Sequence, residues 1–369
     1  MVGPSLIDHF AALHDPRQSW KVLFPLPEVL LVVLCGTLAG AEDFVEIRRW
    51  GQMHHEFLRR LLPFKAGVPS HDTLNDVINA IDGVLFAQCF TAWVEDLREP
   101  APASAAPEIV AIDGKTSRRT HDRSKDRGPL HLVSAWASSQ RLVLGQQACE
   151  AKSNEITAIP LLLERLALTG ALVTIDAMGT QTRIAQAILD RGGACSRSRT
   201  TRPVCTTRSG AISTTPPPNT TATSRRPTPT MAASRSAATG AGHEVDWLTT
   251  VRRFPGWAPS PWSSRGRAQR QHQPERRKLF AVRCHWHVEN RLHWVLDVVF
   301  HEDLSRLRSG AGPQNMATVR HLAMNLLRTP EDKHSLKVRR KSAAWDTSYL
   351  EALIRQLAEP RSSDRRHDR

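Results

Sequence analysis

Residues 108–115 read EIVAIDGK, and this stretch decides the fold class because a short apolar run leads straight into an aspartate. Residues 171–176 read ALVTID and repeat the pattern, with a second aspartate at the end. Runs rich in valine and isoleucine predict buried β-strands. We therefore expect Asp113 and Asp176 at the carboxyl ends of two strands, at the edge of an α/β sheet where ligands bind.

Two carboxylates on neighbouring strands would lie close enough to repel each other unless a divalent cation lies between them. Oxygen ligands favour Mg²⁺ or Mn²⁺ over softer metals. The pair Asp113 and Asp176 thus predicts a site for a hard cation. The residues alone leave an alternative open, because Asp-Gly is a common turn and an aspartate can also cap the helix that follows it.

The segments around these two strands predict a mixed sheet with helices packed on it. Leu130–Ser138 and Leu142–Cys149 are apolar or alternating runs joined by a polar turn, which predicts an antiparallel hairpin. Residues 153–168 and 180–191 predict two helices, the second of which ends at a pair of glycines. The order strand, strand, strand, helix, strand, helix places this region in the α/β class.

The rest of the chain divides by composition. Apolar clusters at helical spacing predict an all-α domain over residues 1–100, and a linker rich in proline and alanine follows at 101–107. We expect the α/β core to occupy 108–193 and 281–328. An anomalous segment at 194–280 interrupts this core, and a mixed-charge tail at 329–369 follows it.

Most of the formal charge of +14 lies in the anomalous segment. Ala194–Gly242 contains seven arginines and lacks aspartate, glutamate, lysine, leucine and every aromatic residue, while residues 258–280 add a net charge of +5. Two interpretations stay open: a disordered basic linker that binds the DNA backbone, or the out-of-frame translation of a GC-rich gene. Under either one, we expect Ala194–Gly242 to be disordered and to add no strand to the sheet.

Cysteine usage and hydropathy exclude several classes of protein. The six cysteines are scattered and form no CxxC pair, which excludes a disulfide scaffold and a zinc ribbon. The most apolar run, Val29–Ala41, has 13 residues, against the roughly 20 that a membrane-spanning helix needs. We therefore expect a soluble protein that is not exported.

A third acid lies within a segment that predicts one long helix over Val282–Val299. Its apolar stripe consists of Val288, Leu292, Val295 and Val299. Glu289 lies in the middle of this helix, with His285 and His293 four residues to either side.

Two interpretations of this His-Glu-His pattern stay open. It is either a glutamate paired with histidines on a solvated face or a stripe of metal ligands, although a zinc site would need further converging ligands. Three other acids just downstream, Asp297, Glu302 and Asp303, compete with Glu289 for the role of third carboxylate in a two-metal site.

Several long motifs resemble one family. They are AIDGKTSR at 111–118, HLVSAWAS at 131–138, KSNEITAIPLLLERL at 152–166, TIDAMGTQTRIAQAI at 174–188 and HWHVENRLHWVLDVVFHEDLSRLRSGAGPQNMATVRHLAMNLLR at 285–328. The chain resembles the H-repeat-associated transposases of bacterial insertion sequences, which belong to the DDE superfamily and have an RNase H-like catalytic core. GVPSHDTLNDV at 67–77 resembles the helical domain that precedes this core.

The resemblance implies a fold and a chemistry. It implies an RNase H-like mixed sheet with flanking helices, in which Asp113, Asp176 and Glu289 hold two Mg²⁺ or Mn²⁺ ions. It also implies DNA cleavage and strand transfer on transposon-end and target DNA, by a homo-oligomer in the bacterial cytoplasm. Lys115 and Lys152 are weaker candidates, as contacts to DNA phosphates.

The sequence departs from the family pattern between residues 194 and 280, where an apolar strand and a His-Gly-Arg-type motif would be expected. This departure predicts that the encoded chain is inactive or impaired, because the strand after the helix at 180–191 would be missing from the sheet. Two alternatives stay open: an RNase H-like nuclease without strand transfer, and a catalytically dead remnant that still binds DNA.

Overall fold

A five-stranded sheet forms the centre of the computed structural model, with the strand order β3-β2-β1-β4-β5. Strand β1 pairs antiparallel with β2 and parallel with β4; β2 pairs antiparallel with β3, and β4 parallel with β5. The strands are β1 (Ile109–Ser117), β2 (Leu130–Ala137), β3 (Leu142–Ala148), β4 (Leu172–Ile175) and β5 (Ala194–Arg197). This mixed sheet confirms the predicted RNase H-like α/β fold and the predicted hairpin.

Helices precede, separate and follow these strands along the chain. They are α1 (Leu6–Ala11), α2 (Leu26–Leu38), α3 (Phe44–Met53), α4 (His55–Arg59), α5 (His71–Ala80), α6 (Gly83–Leu97), α7 (Glu155–Leu163), α8 (Thr182–Asp190), α9 (Trp294–Val298), α10 (Gly312–Arg328), α11 (Leu336–Trp345) and α12 (Thr347–Arg355). The structure describes residues 5–98, 106–122, 127–150, 154–176, 181–197, 284–330 and 332–355. Lys152 and most of the segment 194–280 therefore lie outside the described residues.

Strand β1 is longer than the sequence predicts, which changes the position of Asp113. The prediction that this aspartate ends its strand is wrong, because β1 continues to Ser117 and pairs with β2 over its whole second half. Asp113 lies opposite Ser134 within the ladder. The strand continues through polar residues here because its hydrogen bonds to β2 are made by main-chain groups and do not depend on the side chains. Asp176, by contrast, directly follows β4, as predicted.

Strand β5 contradicts the prediction that nothing from Ala194 onward joins the sheet. Ala194–Arg197 pairs parallel with β4, with Ala194 opposite Leu172 and Arg197 opposite Ile175. The Ala194 N–H donates to the Ala171 carbonyl at 2.8 Å. A ladder needs only main-chain donors and acceptors, so a short strand without large apolar residues can still pair there. The predicted disorder from 198 to 280 lies outside the described residues.

The amino-terminal helices share one hydrophobic core with the sheet. Helix α6 packs against β3, and α10 packs against α2, α5 and α6 as well as β3. Buried residues from the helices before residue 98 and from the sheet belong to a single cluster. The linker at 101–107 therefore divides the sequence by composition without dividing this core. Among the described residues, no single helix is long and apolar enough to span a membrane. One bent pair, α5 with α6, reaches that length and hydropathy only when the two helices are taken together.

The predicted helix over Val282–Val299 is not a regular α-helix. Residues 284–287 form an α-helical turn, Val288–His293 form a π-helix, and α9 follows directly. The predicted apolar stripe is confirmed, because Val288 and Leu292 are fully buried and Val295 and Val299 nearly so. Short π-helical segments within α-helices are frequent at functional sites. This segment carries Glu289.

Helix α10 ties the amino-terminal helices to the sheet through two buried asparagines. The Asn315 amide donates to the carbonyls of Ile78 and Ile81, at the end of α5. Asn325 accepts from the Val143 N–H and donates to the Val143 carbonyl, both at 3.0 Å. It thereby satisfies the main chain of β3, the last strand of the sheet on that side.

Replacing Asn325 with leucine should destabilise the protein by about 2–5 kcal/mol, because two buried main-chain groups of Val143 lose their partners while the volume is nearly kept. Urea unfolding followed by circular dichroism measures the loss. Gln186→Leu, on the exposed side of α8, is the control and should change the free energy of unfolding by about 0.5 kcal/mol or less. A cost for Asn325→Leu no larger than that of the control would contradict the assigned role of Asn325.

Candidate active site

The parallel pairing of β1 and β4 brings the two predicted aspartates together. Ile112 lies opposite Ile175 at the end of this ladder, so Asp113 and Asp176 are the next residues along the two strands. Parallel neighbours lie about 4.8 Å apart in the hydrogen-bonding direction. The charge of Asp176 is one of the causes that raise the pKa of Asp113.

Glu289 joins this pair from the π-helix. The π-helix packs against β1, and the charge of Glu289 also raises the pKa of Asp113. The three competing acids lie elsewhere. Asp297, Glu302 and Asp303 each form an ion pair with the Lys115 ammonium. Among the predicted third acids, Glu289 is the one that the structure brings to Asp113.

The environment of Asp113 is unfavourable to a bare negative charge. Burial is the largest cause that raises the pKa of Asp113 to about 7, and the charges of Glu155, Glu289 and Asp176 raise it further. A hydrogen bond from the Gly114 N–H acts in the opposite direction. Near neutral pH Asp113 is therefore protonated in a substantial fraction of the molecules, and an approaching cation would favour its ionised form.

The donor chemistry of this site fits a hard divalent cation. Carboxylate oxygens are the ligands that Mg²⁺ and Mn²⁺ prefer, and the raised pKa of Asp113 marks a charge that a cation would stabilise. Within the described parts of the chain, no three acidic, histidine or cysteine side chains stand in an arrangement that could hold an ion.

A fourth acid, Glu155, was missed by the sequence analysis. It begins α7, and its Oε1 lies 2.9 Å from His131 Nε2, while His131 Nδ1 lies 2.7 Å from Thr116 Oγ1. Of the three charges that raise the pKa of Asp113, that of Glu155 has the largest effect. Gly114 allows this close approach, because a Cβ at that position would overlap the Glu155 carboxylate and lie 2.7 Å from His131 Nε2, so that both side chains would have to move.

The two histidines around Glu289 face the sheet. His285 is buried, and its Nδ1 lies 3.1 Å from Thr174 Oγ1 on β4. His293 Nδ1 lies 3.7 Å from Asp113 Oδ2, and burial lowers the pKa of His293 to about 4. The interpretation of a solvated face is therefore wrong, because the stripe Val288–Leu292 turns this side of the helix inward.

Lys115 is surrounded by carboxylates. Its Nζ lies 2.8 Å from Asp297, 3.1 Å from Glu302 and 3.3 Å from Asp303, and its side chain is largely buried. Its role as a contact to DNA phosphate stays a prediction, as does that of Lys152.

Two family models match the chain. Residues 7–94 match the DDE_Tnp_1-associated domain, and residues 104–221 match the transposase DDE domain. The first covers the helices α1 to α6, and the second begins before β1 and extends beyond β5. The second match therefore includes Asp113 and Asp176.

Curated relatives match most of the chain. The "H repeat-associated putative transposase YhhI" of Escherichia coli K12 is 31% identical over 95% of this chain and 97% of its own length. The "putative transposase YncI" of Escherichia coli O157:H7 is 32% identical over 96% of this chain and 95% of its own length. The "H repeat-associated putative transposase YbfD" of Escherichia coli K12 is 38% identical over 51% of this chain and 73% of its own length. No solved structure matches the chain.

The raised pKa of Asp113 predicts how the free energy of unfolding changes with pH in a buffer that contains a metal chelator. In the folded protein the pKa of Asp113 lies above the unfolded value of 3.8. Its contribution to the free energy of unfolding is therefore fully present below about pH 4 and is lost as the pH rises to about 7. Asp113→Asn removes this penalty. Relative to wild type, the variant should gain on the order of 2–4 kcal/mol between pH 4.5 and pH 8.

Urea unfolding at the two pH values measures this difference, with Asp190→Asn at the exposed end of α8 as the control. Adding Mn²⁺ at pH 8 should then stabilise wild type more than Asp113→Asn. A difference between Asp113→Asn and wild type that stays constant from pH 4.5 to pH 8 would contradict the environment assigned to Asp113.

Proposed function

Since this chain belongs to the family of H-repeat-associated transposases and carries a transposase DDE domain, we propose that it cuts DNA and transfers the cut strand. In this proposal Asp113, Asp176 and Glu289 are the catalytic residues. The observation that supports it is the parallel ladder of β1 and β4, which makes Asp113 and Asp176 the next residues along two paired strands, together with the packing of the π-helix that carries Glu289 against β1.

We propose that Asp113, Asp176 and Glu289 hold two Mg²⁺ or Mn²⁺ ions. When bound, such ions lower the pKa of an attacking water or 3′-hydroxyl and stabilise the charge of the scissile phosphate. The chain supplies the carboxylates and their surroundings. The Gly114 N–H orients Asp113, and burial of Asp113 excludes bulk water from one side of the site. This chemistry needs no covalent intermediate with a serine or tyrosine.

The proposed substrates are the two ends of the mobile element and a target DNA. A transposase must bring two ends together, so we propose a homo-oligomer in which each end meets one chain. The place of action would be the bacterial cytoplasm, where the DNA lies.

Each of the changes Asp113→Asn, Asp176→Asn and Glu289→Gln should lower DNA cleavage by at least about a hundredfold, since even residues that only orient metal ligands cost 10–100-fold. The assay uses the purified full chain, Mg²⁺ and DNA fragments that carry the flanks of its own gene, with nicked and joined products resolved on a gel. Matched controls on exposed acids, Asp190→Asn and Glu164→Gln, should keep the activity of wild type.

The products separate the proposal from its two alternatives. Cleavage followed by joining to target DNA supports a transposase. Cleavage without joining would indicate an RNase H-like nuclease, and DNA binding without cleavage would indicate a dead remnant. Full cleavage by any of the three site variants would contradict the assigned catalytic residues.

The out-of-frame hypothesis makes a separate prediction. Strand β5 removes the argument that the sheet lacks its last strand, so the hypothesis now concerns residues 198–280 alone. If these residues are out of frame, reading codons 190–282 in all three frames should reveal the family pattern in another frame. The chain with that frame restored should then cut at least about tenfold faster, a difference of about 1.4 kcal/mol in the barrier. Equal rates would contradict the predicted impairment.

A further inference from the structure

Lys115 lies on the same face of β1 as Asp113, because side chains two residues apart on a strand point to the same side. Its side chain is only 10% exposed. A buried ammonium is costly unless it is paired and hydrogen-bonded. The structure supplies that pairing from outside the sheet, through the three carboxylates at 2.8–3.3 Å.

All three of these carboxylates come from the segment that directly follows Glu289. Asp297 lies on α9, which continues the π-helix without a break, and Glu302 and Asp303 lie on the 3₁₀ turn Glu302–Leu304. Lys115 therefore connects the strand of Asp113 to the segment that carries Glu289. The residues that it connects lie 182 or more positions apart in the sequence, and the three carboxylates all lie downstream of Glu289.

The connection depends strongly on the lysine. Glu302 is 3% exposed, and its only cations are the Lys115 ammonium and the Arg320 guanidinium, which lies 3.8 Å away, among the described ion pairs. Without Lys115, Glu302 would keep only the more distant Arg320 and Asp303 only the exposed Arg118 at 3.6 Å, while Asp297 would lose the cation it pairs with at 2.8 Å. Like charges at this distance repel, and an unpaired buried carboxylate is strongly disfavoured.

We propose that Lys115 is a positioning residue: it holds the Glu289 helix against the face of β1 that carries Asp113. The proposal rests on the proposed function for the meaning of that position. It assigns to Lys115 a role other than the contact to DNA phosphate that the sequence predicted. Displacements of about 1 Å in an active site can cost about a hundredfold in rate, so such a connection would matter for cleavage.

The structural half of the proposal is tested by hydrogen exchange on the full chain without metal. Lys115→Met should lower the protection of the amides at 284–298 by at least about tenfold, while Lys65→Met, at an exposed lysine, should leave it unchanged. Protection of 284–298 equal to wild type in Lys115→Met would overturn the proposal. If Lys115→Met does not fold, Asp297→Asn replaces it, since it removes the shortest contact, and unchanged protection would overturn the proposal equally.

The functional half is tested by Mn²⁺ affinity, measured by electron paramagnetic resonance. Glu289→Gln should weaken binding about 10–100-fold, and Lys115→Met should weaken it to a similar extent. The double variant should bind no more weakly than Glu289→Gln alone, because Lys115 acts through Glu289. Lys115→Arg keeps the positive charge and should recover most of the affinity.

The outcomes separate this proposal from the proposed function. If Asp113→Asn binds Mn²⁺ as tightly as wild type, the proposed metal site is contradicted. Hydrogen exchange alone then decides the role of Lys115. Affinity that falls in Asp113→Asn and Glu289→Gln but not in Lys115→Met would overturn the positioning role. So would additive losses in the double variant. If Lys115 instead contacts a DNA phosphate, Lys115→Met should reduce the salt dependence of DNA binding by about one phosphate, a result that would contradict the positioning role.

Discussion

The repulsion among the carboxylates around Asp113 is the constraint on which the site depends. The parallel ladder between β1 and β4 forces Asp113 and Asp176 into adjacent positions, and the π-helix adds Glu289 from above the sheet. Glu155 adds a further charge from the start of α7. Such a cluster opposes folding as long as it stays ionised and unliganded. A divalent cation, bound as proposed, would relieve this repulsion.

Two sets of contacts hold the acids together against this repulsion. The buried stripe of the π-helix and α9 packs into the common core, with Val288 and Leu292 fully buried. The Lys115 ammonium pairs with carboxylates downstream of Glu289 and so fixes the far end of the same segment. The amino-terminal helices reach this arrangement through α10, whose asparagines bond to α5 and β3. Site geometry and overall stability are therefore coupled.

Local patterns predicted much of the fold, and the misses have physical causes. The hairpin, the apolar stripe and the adjacent aspartates follow from periodicity and strand order, which the sequence displays directly. Strand β5 was missed because main-chain pairing needs no apolar side chains. The contacts of Glu155 with His131 and of Lys115 with Asp297 were missed because each joins distant segments. Gly114, next to Asp113, lies where Glu155 and His131 approach the strand closely, although the sequence analysis considered Asp-Gly only as a possible turn.

A crystal structure of the full chain soaked in Mn²⁺, with anomalous scattering used to locate the ions, tests most directly whether these carboxylates bind a cation. We expect anomalous density between Asp113 and Asp176, with Mn²⁺ about 2.0–2.2 Å from their oxygens and Glu289 turned towards it. Anomalous density only at other acids, such as those around Lys115, would contradict it. So would a site that stays without Mn²⁺ at concentrations that support DNA cleavage.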